Sequence, residues 1–527
     1  MKFRLIVILI LIFFIFSMKT YGYWYIEVLD SDGNTGEDPS ITIDKNNYPH
    51  ISYLRKSSED LMYIYYNGIF WIKILVDSSD FVGNSSSLKL DSDDYPHISY
   101  FDYLGKLDLN YAKWNGSGWE YTVVDSTGWV GTQTSLDLDS NDYPHIVYRE
   151  DPMPVYLKYA EWNGLTWDIE MVDNTGDLGY HMSLCLDSND YPHISYYDNG
   201  NGDLKYAVKT STGWQIETVD STGDVGEWTS LELDSNDYPH ISYYDSTNET
   251  LKYTKWNGLD WEFTIVDSVE GDSYCLGTSL ELDSNDYPHI SYYDNGDDNL
   301  KYARWDGASW IIKTIDEEGN VGQFSSLALD DYDYPHIAYY DWTNGDLKYA
   351  TIRYSISGIV YSPEGLPMEK VKVKLSGYKT DSVRTDSSGR FEFYGLIPQR
   401  DYIITADRNQ YEFTPAQHMI NDLYKNESVT FNATKQWTPS LWQFGTFPNP
   451  CNLSEGQTAV KFFNLPEHSK IQIYSVDGTL ITEILPETAD YNWNLTNKDG
   501  EIISSGIYFF VITTPNEIKK GKIAIIK

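Results

Sequence analysis

Leu280-Glu281-Leu282-Asp283-Ser284-Asn285-Asp286-Tyr287-Pro288-His289-Ile290-Ser291-Tyr292-Tyr293-Asp294 is the stretch whose reading decides the fold. Its Tyr-Pro-His centre recurs with histidines at His50, His97, His145, His193, His240, His289 and His336, in steps of 47 to 49 residues. A fixed period in that range marks a repeat architecture. Each repeat holds four strand-like segments: Ser230 to Asp234, Pro239 to Asp245, Leu251 to Trp256 and Trp261 to Asp267 in one copy. They are rich in Tyr, Trp, Ile and Val, residues that suit a pleated, half-buried surface. Asp-Ser-Asn-Asp separates the first two, and Asn257-Gly258, which accepts positive φ at a tight turn, separates the last two. Four antiparallel strands per unit of this length make a propeller blade.

The two motif series are out of phase. The fourth-strand motif begins at Trp24, Trp71, Trp119, Trp167, Trp214, Trp261 and Trp310, each followed six positions later by Asp. The first copy precedes every other strand, while the last unit stops at Leu347 to Ile352 with no fourth strand. Strand Trp24 to Asp30 is therefore expected to complete the last blade. The reading is an all-β chain: a seven-bladed β-propeller closed by the N-terminal strand, followed by two small β-sandwich domains.

A chain of 527 residues splits into more than one domain. Residues 1–22 carry Lys2 and Arg4, an apolar run Leu5 to Phe16 and a polar end at Thr20-Tyr21-Gly22. The run is short for a membrane span, so the segment reads as a secretory signal peptide, leaving no transmembrane segment after cleavage. Residues 23–353 are the propeller, 354–436 and 450–527 the two sandwiches, and 437–449 a linker. The formal net charge of −41 repels phosphate backbones and excludes nucleic acid as a partner. Cys185, Cys275 and Cys451 fit no metal spacing and read as unpaired thiols. No cofactor is expected. Asp-Ser-Asn-Asp offers oxygens of the kind Ca2+ takes, but the turn is short enough to be a plain hairpin, so calcium is the lesser reading.

Candidate binding residues come from what varies. The Asp-Ser-Asn-Asp and Trp-Asn-Gly turns recur almost unchanged. The links between blades vary, with Glu37 and Asp38, Asn84 and Ser85, Thr132 and Gln133, Tyr180 and His181, Glu227 and Trp228, Gln323 and Phe324 at matching places. Preceding the innermost strand, they are expected to ring the mouth of the central channel, where loops on a rigid frame carry function. Gln133, Tyr180, His181, Glu227, Trp228, Gln323 and Phe324 are the nominated ligand-binding set, the aromatics for stacking and the rest for hydrogen bonds. Blade three departs most, at Arg149 to Pro154, and the fifth-to-sixth link, Ser268 to Gly277, is longer. A histidine copied into every blade points to a structural hydrogen bond, since catalysis needs one copy. His181, off the repeat frame, is the exception.

The repeat, Leu-Asp-Ser-Asn-Asp-Tyr-Pro-His-Ile-Ser-Tyr-Tyr-Asp followed by Leu-Lys-Tyr-Ala, resembles a class of secreted bacterial and archaeal propeller repeats, similar in architecture to sialidase-type propellers. The sialidase box Ser-x-Asp-x-Gly-x-x-Trp is not met and Arg149 and Arg304 do not recur as a triad, so sialidase activity is not implied. Ser355 to Val360, Val371 to Gly377, the turn Thr385 to Gly389 and Tyr402 to Thr405 alternate at period two and resemble the carboxypeptidase regulatory-like, prealbumin-type domain, which implies a spacer. Pro448-Asn449-Pro450, Ile471 to Gly478, Trp493 to Gly500, Ser505 to Tyr508 and the basic end Lys519 to Lys527 resemble the C-terminal sorting domain of type IX secretion and the Ig-like domain of flagellar hook-capping proteins. That resemblance implies secretion machinery as a partner, export across an outer membrane and attachment at the cell surface. The functional expectation is a secreted or cell-surface, monomeric, non-catalytic adhesion protein binding a glycan or extracellular protein. Two alternatives stand beside it: an extracellular polysaccharide hydrolase or lyase, and a structural surface protein with no ligand.

Overall fold

The computed structural model describes residues 22–79, 81–103, 106–151, 155–269, 277–435, 444–466, 468–515 and 517–527. The expected signal peptide apart from Gly22, Pro152 to Pro154, Cys275 with most of the fifth-to-sixth link, and most of the linker lie outside the described residues. The chain separates into two compact units, Met1–Tyr354 and Ser355–Lys527. Among the described residues no helix is long and apolar enough to cross a membrane.

The first unit is a seven-bladed β-propeller. In the fifth blade, strands Val225–Leu233, Pro239–Asp245, Thr250–Trp256 and Trp261–Ser268 pair antiparallel in that order. Five other four-stranded sheets repeat the pattern. The seventh blade is assembled from Val321–Leu329, Pro335–Asp341, the start of Asp346–Tyr361, and strand Tyr23–Asp30. Tyr23 faces Arg353 and Ile26 faces Ala350 across that last ladder. One expectation needs correction. The innermost strands start well before the Ser-Leu frame, at Val225 rather than Ser230 in the fifth blade, so the varying residues lie within these strands and not in the links.

Three sets of contacts run from blade to blade and account for most of the constant residues. The serine of each Ser-Leu accepts a hydrogen bond from an innermost backbone N–H of the following blade, as in Leu184 to Ser135 (3.1 Å) and Leu231 to Ser183 (3.1 Å). Ile41 of the first blade donates to Ser326 of the seventh at 3.1 Å, so the set runs the full circle. Each fourth-strand tryptophan meets edge-on a tyrosine of the preceding blade, including Trp24 on Tyr302 (5.1 Å between centroids) and Trp71 on Tyr349 (5.2 Å). Such a pair contributes about 0.5–1.5 kcal/mol beyond its buried area. The aspartate that ends each fourth strand is the acceptor of the third set. Asp173 takes Tyr196 Oη (2.7 Å) and Lys205 Nζ (2.5 Å) from the blade that follows. Asp125 takes Tyr148 and Lys158 in the same way, and Asp316 takes Tyr339 and Lys348. Asp30 is the equivalent residue of the N-terminal strand and takes Tyr53 and Arg55 of the first blade, with Lys73 beside them.

The opposite end of each blade is held by its turns. Asp187 Oδ1 accepts the backbone N–H groups of Asn189 and Tyr191, closing the Asp-Ser-Asn-Asp turn on itself. Asp237, at φ +61°, accepts both the N–H and the hydroxyl of Ser188 in the preceding blade. Asp187 Oδ1 and the Asp237 carboxylate, two of the groups behind the calcium reading, thus accept bonds from protein donors. Gly258 of Trp-Asn-Gly has φ +91°, and a Cβ there would stand 2.9 Å from Tyr238 Oη. The tyrosine of Tyr-Pro-His covers that hairpin, which is why the turn takes glycine.

The frame histidines are buried between two partners. His97 is fully covered; Tyr111 Oη lies 2.6 Å from its Nδ1 and Asp91 Oδ2 3.3 Å from its Nε2. Neutral imidazole fits, with Nε2–H donating to Asp91 and Nδ1 accepting from Tyr111. Burial, reinforced by Lys113, pushes its pKa down to about 4 against the pull of Asp91. The folded value lies below the unfolded one of about 6.5, so the stabilisation is complete above pH 6.5 and is lost as pH falls toward 4. His97→Gln keeps an acceptor for Tyr111 but does not titrate. The stability gap between native protein and variant should narrow by about 3 kcal/mol between pH 7.5 and 4, at about 1.4 kcal/mol per pH unit. Denaturant unfolding followed by tryptophan fluorescence measures it; a pH-independent gap would overturn the account.

The second unit contains two small β-sandwiches. In the first, Asp381–Arg384, Lys372–Gly377, Tyr402–Asp407 and His418–Ile420 form one sheet. The second sheet pairs Ile356 to Tyr361 parallel with Glu427–Lys435, and this strand antiparallel with Tyr411–Thr414. Val373, Leu375, Phe391, Phe393, Ile404 and Phe431 are buried there. In the second sandwich a three-stranded sheet, Gly445–Phe447, Val460–Phe463 and Tyr491–Trp493, accompanies a five-stranded one centred on Gly506–Thr513. Its core is Phe462, Trp493, Phe510, Ile512 and Ile523 with the free thiol of Cys451.

Candidate functional site

Strand alternation builds the channel in layers. Residues two apart on an innermost strand point the same way. The uppermost layer holds one residue per blade: Asp38, Ser85, Gln133, His181, Trp228, Gly277 and Phe324. The serine circle comes next. Below it lies the middle residue of Leu-x-Leu: Thr42, Lys89, Asp137, Cys185, Glu232, Glu281 and Ala328, each opposite its blade's frame histidine in register.

The top layer is strained. Asp38, Ser85, His181, Trp228 and Phe324 all have φ between +46° and +54°, a left-handed conformation that costs non-glycine residues free energy. At each, the ladder to the second strand shifts register, as between Glu227 and Ser230 or Tyr180 and Ser183. Such a bulge re-aims a side chain. It turns the second residue of the pair into the channel and leaves Glu37, Asn84, Tyr180, Glu227 and Gln323 on the ladder, where Glu37 and Asn84 still reach the mouth; in the third blade Thr132 is off the ladder and lines the mouth beside Gln133. In the sixth blade the corresponding residue is Gly277, φ +99°, which contributes no side chain.

The result is a cavity of about 680 Å³ at the channel mouth, within the range of small-ligand sites. Gln133, His181, Trp228 and Phe324 line it, together with Glu37, Asp38, Lys56, Phe81, Asn84, Ser85, Tyr103 and Thr132. Tyr180, Glu227 and Gln323 of the nominated set do not. Tyr180 lies under the Arg149 guanidinium, 3.6 Å from its ring centre, and its hydroxyl accepts from Arg149 at 2.8 Å. Glu227 accepts from Ser246 (2.7 Å), and Gln323 is buried and donates to Asn320 (2.9 Å). Each is the first member of its pair, held over the second strand by the ladder.

One side of the wall is aromatic. The His181 ring stacks on Trp228 with centroids 3.8 Å apart at 21°, and Trp228 meets Phe324 edge-on at 6.2 Å across the gap that Gly277 leaves. The His181 backbone N–H donates to Gln133 Oε1 at 2.7 Å. Burial, with Arg149 nearby, holds the His181 imidazole neutral, its pKa down at about 3. The other side sets polar groups beside the paired rings of Phe81 and Tyr103, 5.3 Å between centroids. Burial raises the Asp38 carboxyl to about 6, Glu37 adds to the rise, and the Ser85 N–H at 3.1 Å opposes it. Lys56 donates to Glu37 at 2.9 Å. In the lower layer Lys89 faces Asp137 at 3.7 Å, and burial raises Glu281, beside Asp137 and Lys89, to about 7. Sequence reasoning passed over this lower layer, although its signal was present: the middle residue of Leu-x-Leu changes from blade to blade as the rim pairs do. Among the described residues no group of three or more His, Cys, Asp or Glu is arranged to hold a metal ion.

Fold and mouth together define a propeller with an asymmetric cavity on a repeated frame. No sequence family matches the chain, and no curated protein does. Solved structures of similar architecture include AofleA from Arthrobotrys oligospora, 11% identical over 56% of this chain and 90% of that one, with a TM-score of 0.40. A polysaccharide lyase of the PL25 ulvan lyase family is 16% identical over 61% and 95%, with a TM-score of 0.42. Aleuria aurantia lectin, solved as a mutant in complex with α-methyl-L-fucoside, is 12% identical over 54% and 95%, with a TM-score of 0.40. Likeness at this level carries nothing about the ligand.

Proposed function

We propose that the chain is a secreted or cell-surface protein whose channel mouth binds a glycan without cleaving it. The observation that carries this reading is the row His181, Trp228 and Phe324 on one wall of a concave mouth that Asp38, Gln133 and Asn84 also line. A sugar presents an apolar ring face to stack and hydroxyls to bond, and this wall offers both. Strain at His181, Trp228 and Phe324 supports it, because non-glycine residues held at positive φ cluster at ligand clamps. The pattern of residues 1–22 supports export. The two-sheet terminal sandwich with its basic end supports delivery or tethering by a secretion machinery, and the preceding sandwich a spacing role.

Glycan-array binding by the full chain tests the reading. Trp228→Ala should weaken binding at least about tenfold, as loss of a central aromatic anchor does, with the melting temperature little changed. Undiminished binding by that variant would remove the mouth from consideration. A second reading, cleavage of a polysaccharide, rests on Asp38, whose raised pKa suits a general acid. Release of reducing or unsaturated ends from a bound glycan would favour it.

A further inference from the structure

We infer that the ligand of this mouth carries positive charge, and that it is a glycan bearing free amines of the glucosamine type rather than uronate or sulfate groups. The inference rests on the glycan reading and deepens it. Its basis is the balance of charged groups at the rim. At the rim, Glu37 and Asp38 stand against Lys56 alone, and Lys56 is already bonded to Glu37. Asp38 receives the Ser85 N–H and, among the described residues, no salt bridge. Arg149, the guanidinium nearest His181, is committed to Asp151 at 2.7 Å and to Tyr180.

The lower layer adds no uncommitted cation: Lys89 faces Asp137, and burial raises the Glu232 and Glu281 carboxyls beside them, so they add little charge of their own. The excess of carboxylate over cation therefore lies at the rim, where low-dielectric walls focus its field on the mouth. A carboxylate or sulfate on a ligand would meet no uncommitted cation among the described lining residues and would be repelled. An ammonium would meet Asp38 of the first blade and, at the neighbouring rim position, the ring of Phe324 from the seventh; aromatic faces attract cations as well.

The test is an array with the full chain, displaying glucosamine oligomers, their N-acetylated forms, and uronate- and sulfate-bearing glycans. The amine form should bind about tenfold more tightly than the acetylated one, and the preference should fade as salt rises. Asp38→Asn preserves shape and tolerates the left-handed φ, and should bring the two forms level. Equal binding of both forms by the native chain, or preferential binding of acidic glycans, overturns the charge assignment. If that binding still depends on Trp228, the glycan reading stands. A blank array overturns both.

Discussion

Removing residues up to Asp30 should leave a propeller that no longer folds cooperatively as a monomer. The deletion strips the outer ladder from the seventh blade and exposes the Leu347 to Arg353 edge, a template for pairing with another chain. It also removes Trp24 from Tyr302 and takes the Asp30 carboxylate from Tyr53, Arg55 and Lys73. That carboxylate is almost fully covered, and burial acting alone would raise its pKa; the bonds from Lys73, Tyr53 and Arg55 instead hold it at about 2. Breaking one such buried set costs about 3–5 kcal/mol. With a whole ladder lost besides, the total rivals the 5–15 kcal/mol that typically separates folded from unfolded domains. Light scattering should show association, and the melting transition should broaden or vanish. A synthetic peptide spanning residues 22–31 should restore a sharp transition by re-adding the strand. A truncated chain that stays monomeric and melts like the parent would show that the ladder contributes little.

The phase shift between two motif series made this strand legible before any coordinates, because repetition supplies its own controls. With Trp71 and Trp119 known to sit on fourth strands, Trp24 had to do so as well. Constant residues were legible as structural but their partners were not. Ser183 was visible in every copy, yet only three dimensions show it taking the N–H of Leu231 from the following blade. The site was half legible for a definable reason. Variation pointed to the pair Glu227 and Trp228 together, but which of the two enters the channel depends on a bulge, a property of two strands in register and not of one sequence. Tyr180 and Gln323 were nominated on the same footing as Glu227 and are turned away by the same ladder. Gly277 escaped notice because a missing side chain leaves no letter to read as a ligand, although its absence lets Trp228 reach Phe324.

Asp173→Ala should be strongly destabilising. Its carboxylate is 3% exposed and accepts Tyr196 Oη, Lys205 Nζ and the Thr175 N–H and hydroxyl. Lys205 is itself buried, with Asp198 3.9 Å away as its other anion. Taking away the nearer one leaves an ammonium largely uncompensated in the seam between two blades, at a cost of about 3–5 kcal/mol near neutral pH. The double variant Asp173→Leu with Lys205→Met should recover much of that loss, since an apolar pair needs no partner. The pH dependence gives an independent reading. Burial acts to raise the Asp173 pKa, but the bonds from Lys205, Thr175 and Tyr196 outweigh it, so the folded value lies below the ordinary one. A depressed carboxylate stabilises fully above its unfolded pKa of about 3.9 and loses that contribution as pH falls through the folded value. The deficit of Asp173→Ala should therefore be constant from pH 7 to about 5 and shrink below about 4. Denaturation midpoints across that range decide it: a deficit that grows in acid, or a double variant no better than the single, would mean that the seam is held by packing and not by this carboxylate.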